Sequence, residues 1–321
     1  MGGASCHSQI KNKMKQQNNP LLCDPESGVC EIPTNETNSN DSSLVTAEKK
    51  PVKIIYFTDP ICSSCWGIEP QLRKLKLEYG YSVEVEYRMG GMLKDWSYNS
   101  GGISKPSDVA HHWDEVSIYY DMPMDGDIWL EDPLHSSFPP SIAFKAAEIQ
   151  DKDKAVLFLR ELREMVFIQK KNITKWEYLE SAAQKVELNI LKFRIDYEGK
   201  AKQLFEEDLQ FGRELGLRGF PTLFFTNETG QVELMYGSKP YNTFENTVLK
   251  LFPSASKNKY DKTWNFVFSK YRTLTAKEFS ELTGLDRIAG EKLLNELTSD
   301  GKIEKMTSKN GSIWSRKNTV L

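Results

Sequence analysis

Ile54-Ile55-Tyr56-Phe57-Thr58-Asp59-Pro60-Ile61-Cys62-Ser63-Ser64-Cys65-Trp66-Gly67 is the stretch that decides the fold. A β-branched and aromatic run, the composition of a strand, ends at Asp59-Pro60. A helical pattern follows from Cys62 to about Glu78. The first cysteine therefore falls at a helix N-terminus, where unpaired backbone N–H groups favour a thiolate. The two-residue spacer lets the second sulfur reach the first within one helical turn. That is the geometry of a dithiol that cycles between reduced and oxidised forms.

Further along, Leu215-Gly216-Leu217-Arg218-Gly219-Phe220-Pro221-Thr222-Leu223-Phe224-Phe225 places a proline immediately before an apolar strand. X–Pro is the only bond where cis is cheap. A proline at a strand's first residue sacrifices no ladder bond.

Outside these two segments the chain bounds its own class. A length of 321 residues fits one long domain or two, and 39% hydrophobic with 27% charged residues is ordinary for a soluble globular protein. A net charge of −3 argues against a dominant nucleic-acid role. No apolar run approaches the ~20 residues needed to cross a bilayer. The first residues, Met1-Gly2-Gly3-Ala4-Ser5-Cys6-His7-Ser8, lack an apolar core of the secretory kind. Five cysteines, an odd count, make a poor secreted disulfide scaffold. The expectation is a cytoplasmic protein without membrane attachment, in which a CxxC is catalytic, redox-sensing or metal-binding.

Residues 1–50 are polar and without periodicity, and read as a disordered, cysteine-containing tail. Val52–Phe57 reads as a strand, and Val83, Val85 and Tyr87 alternate with Glu84, Glu86 and Arg88 as a half-buried strand does. From about 105 to 205 the periodicity is helical. There Thr174-Lys175-Trp176-Glu177 has the form of a capping box. Leu223–Thr226 and Val232–Tyr236 read as a hairpin, and a helix closes the unit at about residue 252. The order fits an α/β thioredoxin fold with an all-helical insertion. A linker at Pro253–Lys259 leads to a second small unit over 260–321. Two helices there, followed by a hairpin across Asn310-Gly311 that signals a type I′ turn, give the winged-helix order.

With these features in place the chain resembles the DsbA family, in its FrnE-like dithiol–disulfide isomerase branch. The matching residues are Asp59-Pro60-Ile61-Cys62-Ser63-Ser64-Cys65-Trp66-Gly67, Met89-Gly90-Gly91, Ser137-Phe138-Pro139-Pro140 and Gly219-Phe220-Pro221-Thr222. Within that branch it is also similar to the SpxH (YjbH) adaptors, which deliver the redox regulator Spx to the ClpXP protease. That likeness extends to Phe144-Lys145-Ala146-Ala147-Glu148, to Lys170-Lys171-Asn172-Ile173-Thr174 and to the module at the C-terminal side. The resemblance implies a cis Pro221 lying against the dithiol. It implies protein thiols or disulfides as substrates, no bound cofactor, and Phe220, Pro221 and Thr222 as the segment that holds a substrate chain.

Two functional classes follow. In the first, a thiol–disulfide oxidoreductase or isomerase, Cys62 attacks a disulfide and Cys65 resolves the mixed disulfide. In the second, the alternative, the chain is a non-enzymatic adaptor for an Spx-like regulator and ClpXP, with the dithiol a sensor or a relic. Against the redox role stands a pair of inert buried thiols or half a zinc site. Asp59 either approaches Cys62 and raises its pKa or is only the turn residue before Pro60. Trp66 either lines a substrate groove or packs in the core. Cys6, His7, Cys23 and Cys30 are enough ligands for one tetrahedral zinc, but their spacing fits no standard finger, and Cys23 with Cys30 also suits a second redox pair. His111, His112 and His135 read as surface and loop residues. The second helix of the winged-helix unit carries Asp286, Glu291 and Glu296 beside Arg287 and Lys292, which favours a protein contact over DNA.

Overall fold

The computed structural model describes residues 29–31, 49–97 and 103–317. Its main sheet has five strands among the described residues, β1 (Val29–Glu31), β2 (Val52–Thr58), β3 (Val83–Met89), β4 (Thr222–Asn227) and β5 (Gln231–Tyr236), in the order β1-β5-β4-β2-β3. β2 and β3 are parallel, and the other pairs are antiparallel. A parallel pair needs a crossover, which α1 (Ser63–Gly67) and α2 (Glu69–Tyr79) supply. Side chains of β2 alternate between two covered faces, so the strand reads as a continuous apolar run. Val52, Ile54 and Tyr56 pack with Leu72 and Leu75, while Phe57 meets Phe224 and Phe211 on the other side.

Between β3 and β4 lies the helical insertion: α3 (Pro106–Tyr120), α4 (Ile128–Glu131), α5 (Phe138–Gln150), α6 (Lys152–Phe167), α7 (Trp176–Lys185), α8 (Ile190–Glu198) and α9 (Lys200–Glu214). Its apolar core includes Trp113, Trp129, Phe144, Phe158 and Phe167. Buried Asp208 of α9 ties the insertion to the sheet. It accepts from the Met89 N–H at 2.9 Å and pairs with Arg88 at 2.8 Å and Lys145 at 3.1 Å. After β5, α10 (Tyr241–Leu251) covers the sheet and the chain enters the C-terminal module. This contains α11 (Trp264–Lys270), β6 (Thr273–Thr275), α12 (Ala276–Thr283), α13 (Arg287–Ser299), β7 (Ile303–Ser308) and β8 (Gly311–Arg316), with sheet order β6-β8-β7. Thr275 and Glu278 close a reciprocal capping box on α12, and Gly284 ends that helix in the left-handed region at φ 77°.

Several local expectations are corrected. The single helix from Cys62 breaks after Gly67, because Pro70 must sit in a first turn where its missing N–H costs nothing. Residues 29–31, expected in an unstructured tail, form β1 on the open edge of β5, whose main-chain groups otherwise lack a partner. Thr174 does not cap α7. Its hydroxyl donates to Asn172 Oδ1 at 2.6 Å inside a loop that buried Asn172 organises, and Lys175 takes the cap position. The hairpin loop is Lys309-Asn310, with Ser308 opposite Gly311. Neither loop residue has the positive φ that a type I′ turn needs. Asn310 instead donates to Asp114 at 2.6 Å and to the Met124 carbonyl at 2.8 Å, so its side chain anchors the wing to the insertion.

Candidate functional site

Cys62 is the N-cap of α1, extended at φ −74° and ψ 109°, and its sulfur accepts the Cys65 N–H at 3.1 Å. Both cysteines are free and buried; Cys65 is entirely enclosed, whereas Cys62 keeps 2% of its surface. The sequence expectation put a favoured thiolate on Cys62. Burial pushes the Cys62 thiol up, interaction with Cys65 and the nearby Asp59 carboxylate act the same way, and the Cys65 N–H that its sulfur accepts acts in the opposite direction, toward the thiolate. A five-residue helix supplies little opposing dipole. For Cys65, burial also pushes upward. It is outweighed by the hydrogen bond from Cys62, by the Arg163 charge and by the Thr58 and Tyr56 hydroxyls, so this thiol lies below its ordinary value.

Asp59 holds both roles left open by the sequence. It organises the turn, accepting from the Ile61 N–H at 3.1 Å, the Met92 N–H at 2.7 Å and Ser137 Oγ at 2.8 Å. It also acts on Cys62. Full burial lifts its carboxyl to about 6 against those three hydrogen bonds.

The Phe220–Pro221 peptide is cis, as the resemblance implies. Phe57 pairs with Thr222, which puts Pro221 level with Thr58 on the adjacent strand, at the sheet end from which the Cys62 loop emerges. The Pro221 carbonyl accepts the Gly237 N–H at 2.9 Å, and Thr222 Oγ1 donates to the Gly219 carbonyl at 2.7 Å. The half-buried Phe220 ring lies on Gly90, where a Cβ would stand 1.9 Å from it. That close approach explains a glycine directly after β3.

Trp66 departs from the substrate-groove expectation. It is fully buried, donates to the Pro123 carbonyl at 3.1 Å, stacks on Phe167 at 5.6 Å and lies under the Arg160 guanidinium at 4.3 Å. Its ring faces the helical core because α1 is roofed by the insertion. Tyr120 of α3 packs against Gly67, and its hydroxyl donates to Ser64 Oγ at 2.9 Å. Cys6, His7 and Cys23 lie outside the described residues, and only the backbone of Cys30 is described. Among the described residues no three His, Cys, Asp or Glu side chains gather as a metal site.

What the sequence reading missed is charge. Arg163 of α6 is fully buried, pairs with Glu69 and donates to Thr58 Oγ1 at 2.6 Å. Glu69 also meets Arg73 at 3.7 Å, and Arg73 reaches Glu278 of α12 at 3.3 Å. Arg160 grips Glu278 with two bonds of 2.7 and 3.0 Å and Glu164 with one of 2.6 Å. A continuous buried ionic network thus runs from the dithiol helix to the C-terminal module. Its signal was present in Leu159-Arg160-Glu161-Leu162-Arg163-Glu164, where charges recur on a helix whose apolar positions already account for one face.

The family model described as Thioredoxin matches residues 56–246. The ClpXP adapter protein SpxH of Halalkalibacterium halodurans is 32% identical over 94% of this chain and 99% of its own length. The protein of the same name from Bacillus subtilis is 28% identical over 83% of this chain and 89% of its own. A solved structure from Nitrosomonas europaea, assigned as a protein disulfide isomerase, superposes with a TM-score of 0.54 at 21% identity. It covers 64% of this chain and 97% of that one, a likeness of fold.

Proposed function

This chain belongs to the thioredoxin family and, within it, to the family of the SpxH adapters, and from that premise we propose that it is a cytoplasmic adaptor that binds an Spx-like regulator and presents it to ClpXP. The observation that carries this reading is the extent of the match to the Halalkalibacterium halodurans adapter. It takes in 94% of this chain, and so includes the C-terminal module, whereas the isomerase-like structure covers only 64%. The buried Arg160–Glu278 and Arg73–Glu278 pairs fix that module against the thioredoxin unit, as suits a rigid two-part docking platform. Ile118 and Tyr119 on the last turn of α3 and Ile288 on the first turn of α13 are exposed. The Asp121–Arg287 ion pair at 2.7 Å joins these helices. Exposed apolar side chains of this kind are what a protein partner covers.

A second reading has its own support. The free Cys62/Cys65 pair beside a cis proline is the equipment of thiol–disulfide exchange with protein substrates, and the two roles are compatible in one chain. Co-elution of the full chain with an Spx-type regulator separates them. The adaptor reading expects a stable complex that survives Cys62→Ala with Cys65→Ala. Recovery of partners only as mixed disulfides, lost in that double variant, would overturn it.

A further inference from the structure

β1 covers only part of the outer edge of β5. It pairs with Gln231, Val232 and Glu233, and among the described residues no strand lies against Leu234, Met235 and Tyr236. The Gly237 N–H donates to the Pro221 carbonyl at 2.9 Å, toward β4. Main-chain groups alternate sides along an antiparallel strand, so those of Tyr236, Leu234 and Val232 point away from β4. Val232 meets Cys30 there. The N–H and C=O groups of Leu234 and Tyr236 face outward on the open half.

The side chains of the open half match an incoming strand. Leu234 and Tyr236 are 48% and 54% exposed, although Val232 on the same face is buried. Leu234 stands opposite Phe224, and Phe224 opposite Ile55. This apolar row runs across the sheet and ends at the edge. The Tyr236 ring lies along Gly219, where a Cβ would stand 2.7 Å from its hydroxyl. The open half is therefore continuous with the Gly219-Phe220-Pro221 segment. Native sheets blunt a free edge with lysine, proline or a bulge. Leu234-Met235-Tyr236 has none of these.

We propose that the β5 edge is the docking site for an extended segment of the regulator, which pairs antiparallel to β5 with apolar side chains at alternate positions and takes the place of β1. The proposal rests on the adaptor reading. β1 argues for this occupant, because it shows that the edge accepts an extended antiparallel segment. Its N-terminal end at Val29 points along the open half, so a strand that spans all of β5 has to displace it. The exchange favours the longer strand. β1 meets one outward-facing residue, Val232, whereas the incoming strand also reaches Leu234 and Tyr236. Main-chain bonds of this kind supply affinity, and the alternate side chains supply specificity. An apolar side chain opposite Leu234 extends the row from Ile55 and Phe224.

The test is amide hydrogen exchange on the full chain, alone and with an Spx-type regulator, combined with affinity measurements on variants. The Leu234 and Tyr236 amides are expected to exchange readily in the free chain and to slow by about tenfold or more in the complex. The Met235 amide, turned toward β4, should not change. Tyr236→Pro removes an outward N–H without touching the β4 ladder and should weaken the complex by about tenfold. Leu234→Lys places a charge on the edge. It should weaken the complex similarly and covers the case in which Tyr236→Pro fails to fold. Cys30→Pro removes the N–H that β1 offers Val232, so it should tighten the complex by about two- to tenfold. A complex in which the Leu234 and Tyr236 amides still exchange freely would overturn the proposal and leave the adaptor reading standing. Protection of both amides in the free chain would also overturn it, in favour of the chain's own N-terminal residues or, if protection rises with concentration, of a second copy. Unchanged affinity in Cys30→Pro would refute the displacement of β1. Absence of any complex would remove the adaptor reading and this inference with it.

Discussion

Asp59→Asn tests the electrostatics of the site through stability. Burial lifts this carboxyl from 3.8 to about 6. At about 1.4 kcal/mol per pH unit, that displacement is roughly 3 kcal/mol, an order-of-magnitude figure. Because the folded pKa is the higher one, the native state binds the proton more tightly than the unfolded chain. Between about pH 4 and pH 6 the native state therefore holds more protons, and stability falls as pH rises through that window. Above it both states are ionised and the full penalty stands. Asn keeps the size but cannot ionise. It also turns one acceptor into a donor opposite Ile61 or Met92, which costs about 1–3 kcal/mol at every pH. The diagnostic is thus the slope and not the offset. Denaturant unfolding from pH 4 to 7.5 should show the variant gaining about 3 kcal/mol relative to the parent as pH rises, complete above pH 7. Parallel pH profiles for the two proteins would refute the account of Asp59 as a buried carboxylate held against its solvation.

Glu278→Gln leaves Arg160 and Arg73 facing a neutral group in a fully buried site; the expected loss is about 3–5 kcal/mol, read by denaturant unfolding, together with faster protease cleavage in the 253–259 linker. Glu278 is held below its ordinary value, with burial opposed and outweighed by Arg160 and Arg73. Its contribution is therefore present above the unfolded carboxylate pKa and lost as pH falls through the lower folded one. Gly90→Ala drives a Cβ into the Phe220 ring, with an expected cost of about 1–3 kcal/mol and a slower reaction of Cys62 with a model disulfide if Phe220 and Pro221 position the incoming chain. Asn310→Ala removes two bonds that hold the wing on the insertion and should cost about 1–3 kcal/mol, whereas Lys309→Ala, whose partners are partly exposed, should cost no more than about 1 kcal/mol.

Much of the architecture was legible because it is local. Strand alternation at Val83–Met89, the Asp59-Pro60 break and the proline before Leu223 each carry their structure in their own residue types. The site was legible as far as Cys62, Cys65 and Pro221. Trp66 was not, because its direction depends on Pro123 and Phe167, which arrive from an insertion over 50 residues away in sequence. The charge around the dithiol was not, because Asp59 and Arg163 are buried by contacts between the sheet end and the insertion. Arg163 looks like a solvent residue until Glu69 and Thr58 are placed against it. Thr174 and Asn310 had the right residue types for a cap and a turn, but tertiary partners claimed their side chains first.

The central claim is that the whole chain, module included, recruits a regulator to a protease. The direct measurement is the rate at which purified ClpXP degrades an Spx-type regulator with and without the full-length chain, repeated with Cys62→Ala and Cys65→Ala together. The account predicts a marked acceleration that the double variant retains. No acceleration by the intact chain, alongside efficient disulfide exchange through Cys62, would contradict it and leave the oxidoreductase reading in its place.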